Sequence, residues 1–499
     1  MTHEVEAAAY ILRTMEEIEK NGDPYANDEE LYQACKLAYG VTFTAYRADK
    51  TVLIRSKALR IEGKRIYRAR MCSYENFAAK RLAELLSKPQ FDVPDVENPL
   101  MCGDVILNKD QREAVVLALK NRISVIYGGA GSGKTTTIQA ILEKYKDMDA
   151  EKSVLLAAPT GKAARVLSQA TGWRARTVHS ALGRTPDDDF LAPVEWLQLG
   201  LIIIDESSML SLELLAGILS RMPDNCRCVL VGDPAQLQAV GAGNVLLDLR
   251  ALNVPSAMLK TQYRQRDRTS ALTYNVHAFA QICTGQELRF DESFRFISCG
   301  EDEIVDAMCC AAKKYWDAGK DVQMLAATKD IVQRLNLTMQ AICNPRSKSK
   351  LEYGIFREGD QVMILKNIPL KSCCNGDVGI LHFENDLFGN PCISVVRRNG
   401  CVSTFTFQEA RTKLTLAYAS TIHKAQGSQA EHIIIYCGKN GMPLAKRNLV
   451  YTAISRARTD ALLVGDRAML DRAIQTQPRI RKSMLVIKTR QAQHGWPAA

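Results

Sequence analysis

Three observations predict an α/β fold spread over several domains. Residues 125–138 open with Val125, Ile126 and Tyr127, pass through Gly128-Gly129-Ala130-Gly131-Ser132-Gly133 and continue as Lys134-Thr135-Thr136. That is a buried strand, a glycine turn and a helix start. Further apolar runs at 154–158, 201–204 and 229–231 each end in polar residues, as strands of a parallel sheet do when their carboxyl ends carry ligand contacts. Finally, 499 residues exceed what one hydrophobic core serves, so about two to four domains are expected.

Composition narrows the class. No apolar run is long enough to span a bilayer, and Met1-Thr2-His3-Glu4 does not begin a signal peptide. A soluble, cytoplasmic protein without membrane association is expected. Fifteen cysteines are scattered without a CxxC pair, so they read as reduced, mostly buried thiols and not as a disulfide framework or zinc site. The net charge of +10 suits a polyanionic partner. Two stretches concentrate it: nine Lys/Arg within 50–80, and Arg479, Arg481, Lys482, Lys488 and Arg490 in an acid-free tail over 478–499. Each reads equally as a solvated face or as a patch that tracks phosphates.

The first hundred residues predict a small α+β module. Ala7, Ala8, Ile11, Leu12, Met15 and Ile18 recur at helical spacing, Gly22-Asp23-Pro24 stops that helix, and 29–37 forms a second. Residues 42–68 alternate in the manner of strands, 74–86 is amphipathic, and Pro89, Pro94 and Pro99 mark a linker. Asn108 is placed to cap a helix through Leu119. Gln111 on that helix has both a donor and an acceptor with which to meet the edge of an adenine.

The glycine turn carries the chemistry. Gly128, Gly129, Gly131 and Gly133, with Ala130 and Ser132 between them, let backbone N–H groups curl around a polyphosphate at the N-terminus of the next helix. Lys134 would hold the β- and γ-phosphates, the Thr135 hydroxyl would ligate Mg²⁺, and Thr136 lies one residue further on. After the run 201–204, Asp205 can bind that metal and Glu206 can take a proton from an attacking water. The run 229–231 leads to Gly232-Asp233-Pro234-Ala235-Gln236, and Gln236 could report on the γ-phosphate. Beyond Leu259 a second domain begins, helical to Ala318 and then a strand over 322–327. Residues 354–413 change texture to short alternating strands with Gly turns, a small inserted β-barrel. The α/β pattern resumes at 416.

Ordered along the chain, these segments resemble the motif set of superfamily 1 helicases, specifically the RecD-like branch that includes the phage Dda type. The similarity covers about 104–466. Motif I is the P-loop, motif Ia is Pro159-Thr160-Gly161-Lys162-Ala163-Ala164-Arg165, and motif Ib is Thr177-Val178-His179-Ser180. Motif II is Asp205-Glu206, motif III runs from Gly232 to Gln236, and motif IV holds Arg264. Motif V runs from Ser420 through Thr421 and His423 to Gly427, and motif VI from Tyr451 to Arg458. The pattern departs from the family after Gln236-Leu237, where the usual prolines are Gln238 and Ala242.

The resemblance implies two RecA-like P-loop motor domains in tandem, at 101–256 and at 257–352 with 415–499. An SH3-like barrel is inserted at 353–414 and an accessory module occupies 1–100. It implies ATP and Mg²⁺ between the lobes, with Lys134, Glu206 and Gln236 from the first and Arg264 and Arg456 from the second as arginine fingers. It implies 5′→3′ movement on single-stranded DNA and at single-strand/duplex junctions, by what is expected to be a monomeric motor. One grip would use Pro159, Thr160, Lys162, Thr177 and His179, the other Ser420, Thr421 and His423. The stretch 183–196, with Phe190 or Trp196 as the candidate stacking residue, suits a wedge hairpin. The rival reading is an ATP-gated single-stranded nucleic-acid-binding subunit of a recombination or repair complex with little unwinding of its own. A P-loop kinase has no place for motifs V and VI.

Overall fold

The computed structural model describes residues 4–93, 100–149, 151–183, 198–261, 263, 269–280, 287–346, 351–368, 371, 373–386, 389–440 and 446–495. Arg264 and the wedge stretch beyond Gly183 therefore lie outside the described residues.

The first motor sheet has six strands in the order Ser256–Leu259, Ile123–Gly128, Arg227–Gly232, Leu199–Ile204, Ser153–Ala158 and Ala175–Thr177. All pair in parallel. Ile123–Gly128, Leu199–Ile204 and Arg227–Gly232 are buried at every residue, because one apolar cluster packs on each face of the sheet. That two-sided cover is why these strands read as unbroken apolar runs. Ser256–Leu259 pairs with the P-loop strand, so the sheet extends past the boundary expected at 256.

The second sheet is also parallel, in the order Phe294–Ser298, Ala457–Gly465, Ala430–Cys437, Val322–Ala326, Ala419–Thr421. Its edge strand Phe294–Ser298 falls where the sequence reads as helix. A five-residue edge strand gives too short a pattern to stand out beside the helices around it. Between its strands, an antiparallel sheet runs in the order Val402–Phe405, Pro391–Arg397, Val378–Asn385, Gln361–Ile364, Leu414–Leu416. Val362, Leu381, Ile393 and Phe405 of this sheet share one apolar cluster with Met308, Met324 and Ile434 of the second motor lobe. Fully buried Asp360 fastens the junction, accepting from Gln340 Nε2 at 2.6 Å, Asn344 Nδ2 at 2.8 Å and Tyr418 Oη at 3.0 Å.

The N-terminal segment folds as helices Glu4–Lys20, Asp28–Tyr39, Phe43–Arg55 and Ala69–Ser87 around a hairpin of Leu59–Glu62 and Arg65–Arg68. Strands expected from residue 42 begin only at 59. Thr42 Oγ1 accepts from Ala45 N–H at 3.3 Å and caps a helix there. The residues buried from it are Tyr46, Asp49 and Leu53, a spacing of three and four that outweighs the apparent alternation.

The C-terminal tail departs most from expectation. It leaves the second lobe after the helix Arg467–Gln475 and returns to the first, where Leu485 joins the apolar cluster under the first sheet. Its cations are used internally. Arg479 pairs with Asp23 and Lys482 with Glu30. Buried Lys488 lies 2.6 Å from Glu62 and 3.1 Å from Glu75. Arg490 Nη2 donates to the Ala251 carbonyl at 2.7 Å. The tail is a strap and not a phosphate-tracking patch. In the other basic stretch, Arg68 pairs with Glu16 and Glu19 while Arg55, Lys57, Arg60 and Lys64 are exposed.

Candidate active site

The P-loop is shaped by its glycines. Gly131 and Gly133 have φ of 79° and 82°, a region in which a side chain is strained. A Cβ on Gly128 would sit 2.3 Å from Ser132 Oγ. The helix Lys134–Met148 starts at Gly133 with no side-chain cap, which leaves its first N–H groups directed at the turn. Lys134 Nζ folds over the loop and donates to the carbonyls of Gly128 and Gly129, both at 2.8 Å.

Two neighbouring strand ends add acids and an amide. Asp205 follows Leu199–Ile204 and accepts from Glu206 N–H at 2.8 Å. Burial, and then the charge of Glu206, raise the Asp205 pKa, with Lys134 opposing. Glu206 has φ 51° and ψ 39°, left-handed backbone that costs a non-glycine residue of order 1–3 kcal/mol and concentrates at functional sites. Asp233 lies fully inside, also raised by burial and opposed by Lys134. It accepts from Tyr451 Oη at 2.6 Å and Gln236 Nε2 at 3.4 Å.

A cavity of about 490 Å³ joins these groups to the second lobe: Lys134, Thr135, Thr136, Asp205, Glu206 and Gln236 line it together with Gly427 and Arg456. Arg456 is 3 % exposed and held by its own lobe, donating to the carbonyls of Thr452 at 3.1 Å and Ser428 at 3.4 Å. Gly427, at φ 72°, approaches the first lobe so closely that a Cβ would lie 3.4 Å from Ala163 Cβ. Two more bonds cross between lobes, Leu237 N–H to Thr452 Oγ1 at 3.0 Å and Gln426 Nε2 to the Leu237 carbonyl at 3.2 Å.

The cavity is built for a polar occupant. Glu206 Oε2 and Gln236 Oε1 are buried there without a hydrogen-bond partner, a cost that a bound ligand or its waters would remove. Among the described residues no group of three or more His, Cys, Asp or Glu could hold a metal by itself. Thr135 and Asp205 both line the cavity and would offer a divalent cation two oxygen ligands.

Gln111 is less free than the sequence implies. Its Oε1 accepts from Asn108 N–H at 3.0 Å in a capping box, and its Nε2 lies 3.5 Å from the Gly133 carbonyl. Tyr263, Val105 and Ile106 also line this end of the cavity, and sequence reasoning gave none of them a role. Tyr263 N–H donates to the Gly131 carbonyl at 2.7 Å, and its hydroxyl accepts from Asn108 Nδ2 at 2.6 Å. The aromatic inside Gln262-Tyr263-Arg264 was a signal for it; a two-residue strand such as Val105–Ile106 leaves none.

The expected grip residues cluster at the carboxyl ends of strands at or next to one edge of each sheet. Pro159 and Thr160 follow Ser153–Ala158, Thr177 ends Ala175–Thr177, and Thr421 ends Ala419–Thr421. Thr160 and Thr177 cap the helices that follow, accepting from Ala163 N–H at 3.2 Å and Ser180 N–H at 3.1 Å. Their hydroxyls keep acceptor capacity while the helix starts present further N–H groups. His179 is half-buried and His423 exposed. Ser420 is 4 % exposed, with Oγ accepting from Gln323 Nε2 at 3.0 Å. Lys162 lines a second cavity of about 730 Å³ with Arg165, Lys320, Arg397 and Arg398. Burial lowers its pKa, with Asp377 and Asp321 opposing. The antiparallel sheet presses on this helix start, since a Cβ on Gly161 would lie 2.9 Å from Asn367 Oδ1.

Comparison with known proteins agrees with this geometry. Residues 106–302 match the model of an AAA domain, and residues 416–464 that of a UvrD-like helicase C-terminal domain. The ATP-dependent RecD2 DNA helicase of Deinococcus radiodurans is 29% identical over 457 residues, covering 89% of this chain and 61% of that protein. The chain thus spans about three-fifths of that relative's length. The RecBCD enzyme subunit RecD of Mycolicibacterium smegmatis is 29% identical over 483 residues, 86% of this chain and 83% of that one. A crystal structure of a Bacteroides Pif1 helicase with ADP-AlF3 and ssDNA aligns at TM-score 0.49 and 22% identity, over 78% of this chain and 98% of that one. The matched segments and the cleft between the two lobes support the class of superfamily 1 helicases as what this chain is similar to. Both of these sequence relatives carry RecD names, which is the group the motif order resembles.

Proposed function

We propose that this chain is an ATP-dependent 5′→3′ helicase and translocase that moves on single-stranded DNA and separates duplex at junctions. The observation that carries this reading is the shared cavity: Lys134, Asp205, Glu206 and Gln236 from one lobe and Gly427 and Arg456 from the other line a single space. A nucleotide held there touches both lobes, so its binding and loss change their separation.

Each side chain has a task in this reading. Lys134 and the P-loop N–H groups hold the phosphates. Tyr263, Val105 and Ile106 give the base an apolar seat beside Gln111. Mg²⁺, when bound, would neutralise phosphate charge, and Thr135 and Asp205 are the side chains that would hold it. Glu206 accepts the proton of the attacking water, Gln236 orients toward the γ-phosphate, and Arg456 approaches the transferring group. Arg264 would be a second finger. Pro159, Thr160, Lys162, Thr177 and His179 would grip the strand on one lobe, Ser420, Thr421 and His423 on the other, through hydroxyls, N–H groups and few cations that hold backbone without reading bases. The antiparallel sheet serves as an SH3-like cover over the DNA path, the N-terminal helices as an accessory module, and 183–196 as the wedge. Among the described residues no helix is long and apolar enough to cross a membrane; the motor would work as a monomer in the cytoplasm.

Strand displacement on duplexes with 5′ or 3′ single-stranded tails tests the reading. ATP-dependent release from 5′-tailed substrate alone is expected. Release from neither, with ATPase indifferent to single-stranded DNA, would sink it.

A further inference from the structure

The loop after Gln236 holds no proline through 244 and has glycines at 241 and 243, with φ of 113° and 94°. A stretch this free to rearrange should fix Gln236 poorly. Its carbonyls nevertheless converge on one guanidinium from the far end of the chain. Arg481 Nη2 donates to Ala239 at 2.6 Å, and Nη1 donates to Gly241 and Gly243, both at 3.0 Å. The N-terminal segment closes the other side. Gly22 O accepts from Gly243 N–H at 2.9 Å, and a Cβ on Gly22 would lie 2.3 Å from Arg481 Nε. Three carbonyls spread across a planar fork are a task for arginine, since an ammonium is one point of charge on a flexible stem.

We propose that Arg481 is a positioning residue for Gln236. It supplies the rigidity that a proline-free, glycine-containing loop lacks by clamping 239–243, while Thr452 and Gln426 hold Leu237 from the second lobe. Docking of the tail thereby becomes a condition for efficient hydrolysis, and the N-terminal module bears on the nucleotide through the same clamp. This rests on the reading of the chain as an ATP-driven motor.

The test compares the full chain with R481A, R481K and R490A. It reads steady-state ATPase with single-stranded DNA and amide hydrogen exchange over 237–244. Arg490 anchors the same tail away from the loop, on Ala251. In R481A kcat should fall about tenfold with KM for ATP within about twofold, the pattern of a misplaced group and not of lost binding. Exchange over 237–244 should quicken, R481K should recover part of the rate, and R490A should match the wild type. Wild-type kcat in R481A, unchanged exchange, or an equal loss in R490A would overturn the inference. A wild-type chain that hydrolyses no ATP would instead remove the motor reading, and the exchange data would still decide whether Arg481 clamps the loop.

Discussion

Glu206 combines a left-handed backbone with a buried, unpartnered carboxylate oxygen facing the P-loop lysine's cavity. Such a group is costly to keep unless it acts. Replacing it by glutamine keeps the shape and removes the base, so E206Q should lose about 10²–10⁴-fold in turnover while retaining nucleotide affinity. Turnover assays beside a fluorescent-nucleotide titration check this, and undiminished turnover would take Glu206 out of the chemistry. At this scale the sequence was most legible where a role is local. Lys134, Thr135, Asp205 and Gln236 are named by what immediately precedes them, a buried strand or a glycine turn. Tyr263, Val105 and Ile106 come from short irregular segments, and only the fold brings them to the cavity.

Among elements, the tail carries a titration. Burial lifts Asp248 to about 7, opposed by the bond it accepts from Ser483 Oγ at 2.8 Å and reinforced by the charge of Glu75. A carboxyl with a folded pKa above its ordinary 3.8 favours the folded state fully below that value and loses the contribution as pH rises through about 7. Thermal unfolding should therefore show D248N gaining on the wild type from pH 4 to 7, with no further gain above. A constant difference across that range would contradict it. Asp377 gives a second prediction. It lies 2.7 Å from Arg165 on the first lobe and 3.1 Å from buried Arg397, so Asp377→Ala leaves two cations facing each other. A loss of about 3–5 kcal/mol in chemical denaturation is expected, and a loss below 1 kcal/mol would mean the pair is dispensable. Neither contact could be read from sequence. The partners of Arg479, Lys482 and Lys488 lie more than 400 positions upstream, so an acid-free tail looked unpaired when its acids were at the other end of the chain.

In the whole molecule, two parallel sheets meet at a cleft to which each contributes what the other lacks. The order of motifs made this legible, because Arg456 follows Ile454-Ser455 with nothing local to mark it as a finger. The return of the tail was not, since it follows from packing Leu485 beneath the first sheet and from Arg481 finding three carbonyls. The central claim is that a nucleotide on Lys134 is hydrolysed only when the opposing lobe supplies Arg456. Its most direct measurement is single-stranded-DNA-stimulated turnover of Arg456→Ala, with nucleotide and DNA binding followed in parallel and Arg456→Lys as the variant that keeps the buried charge. The account predicts turnover lower by about 10³–10⁵ with both ligands still bound. Turnover near the wild-type value would contradict it.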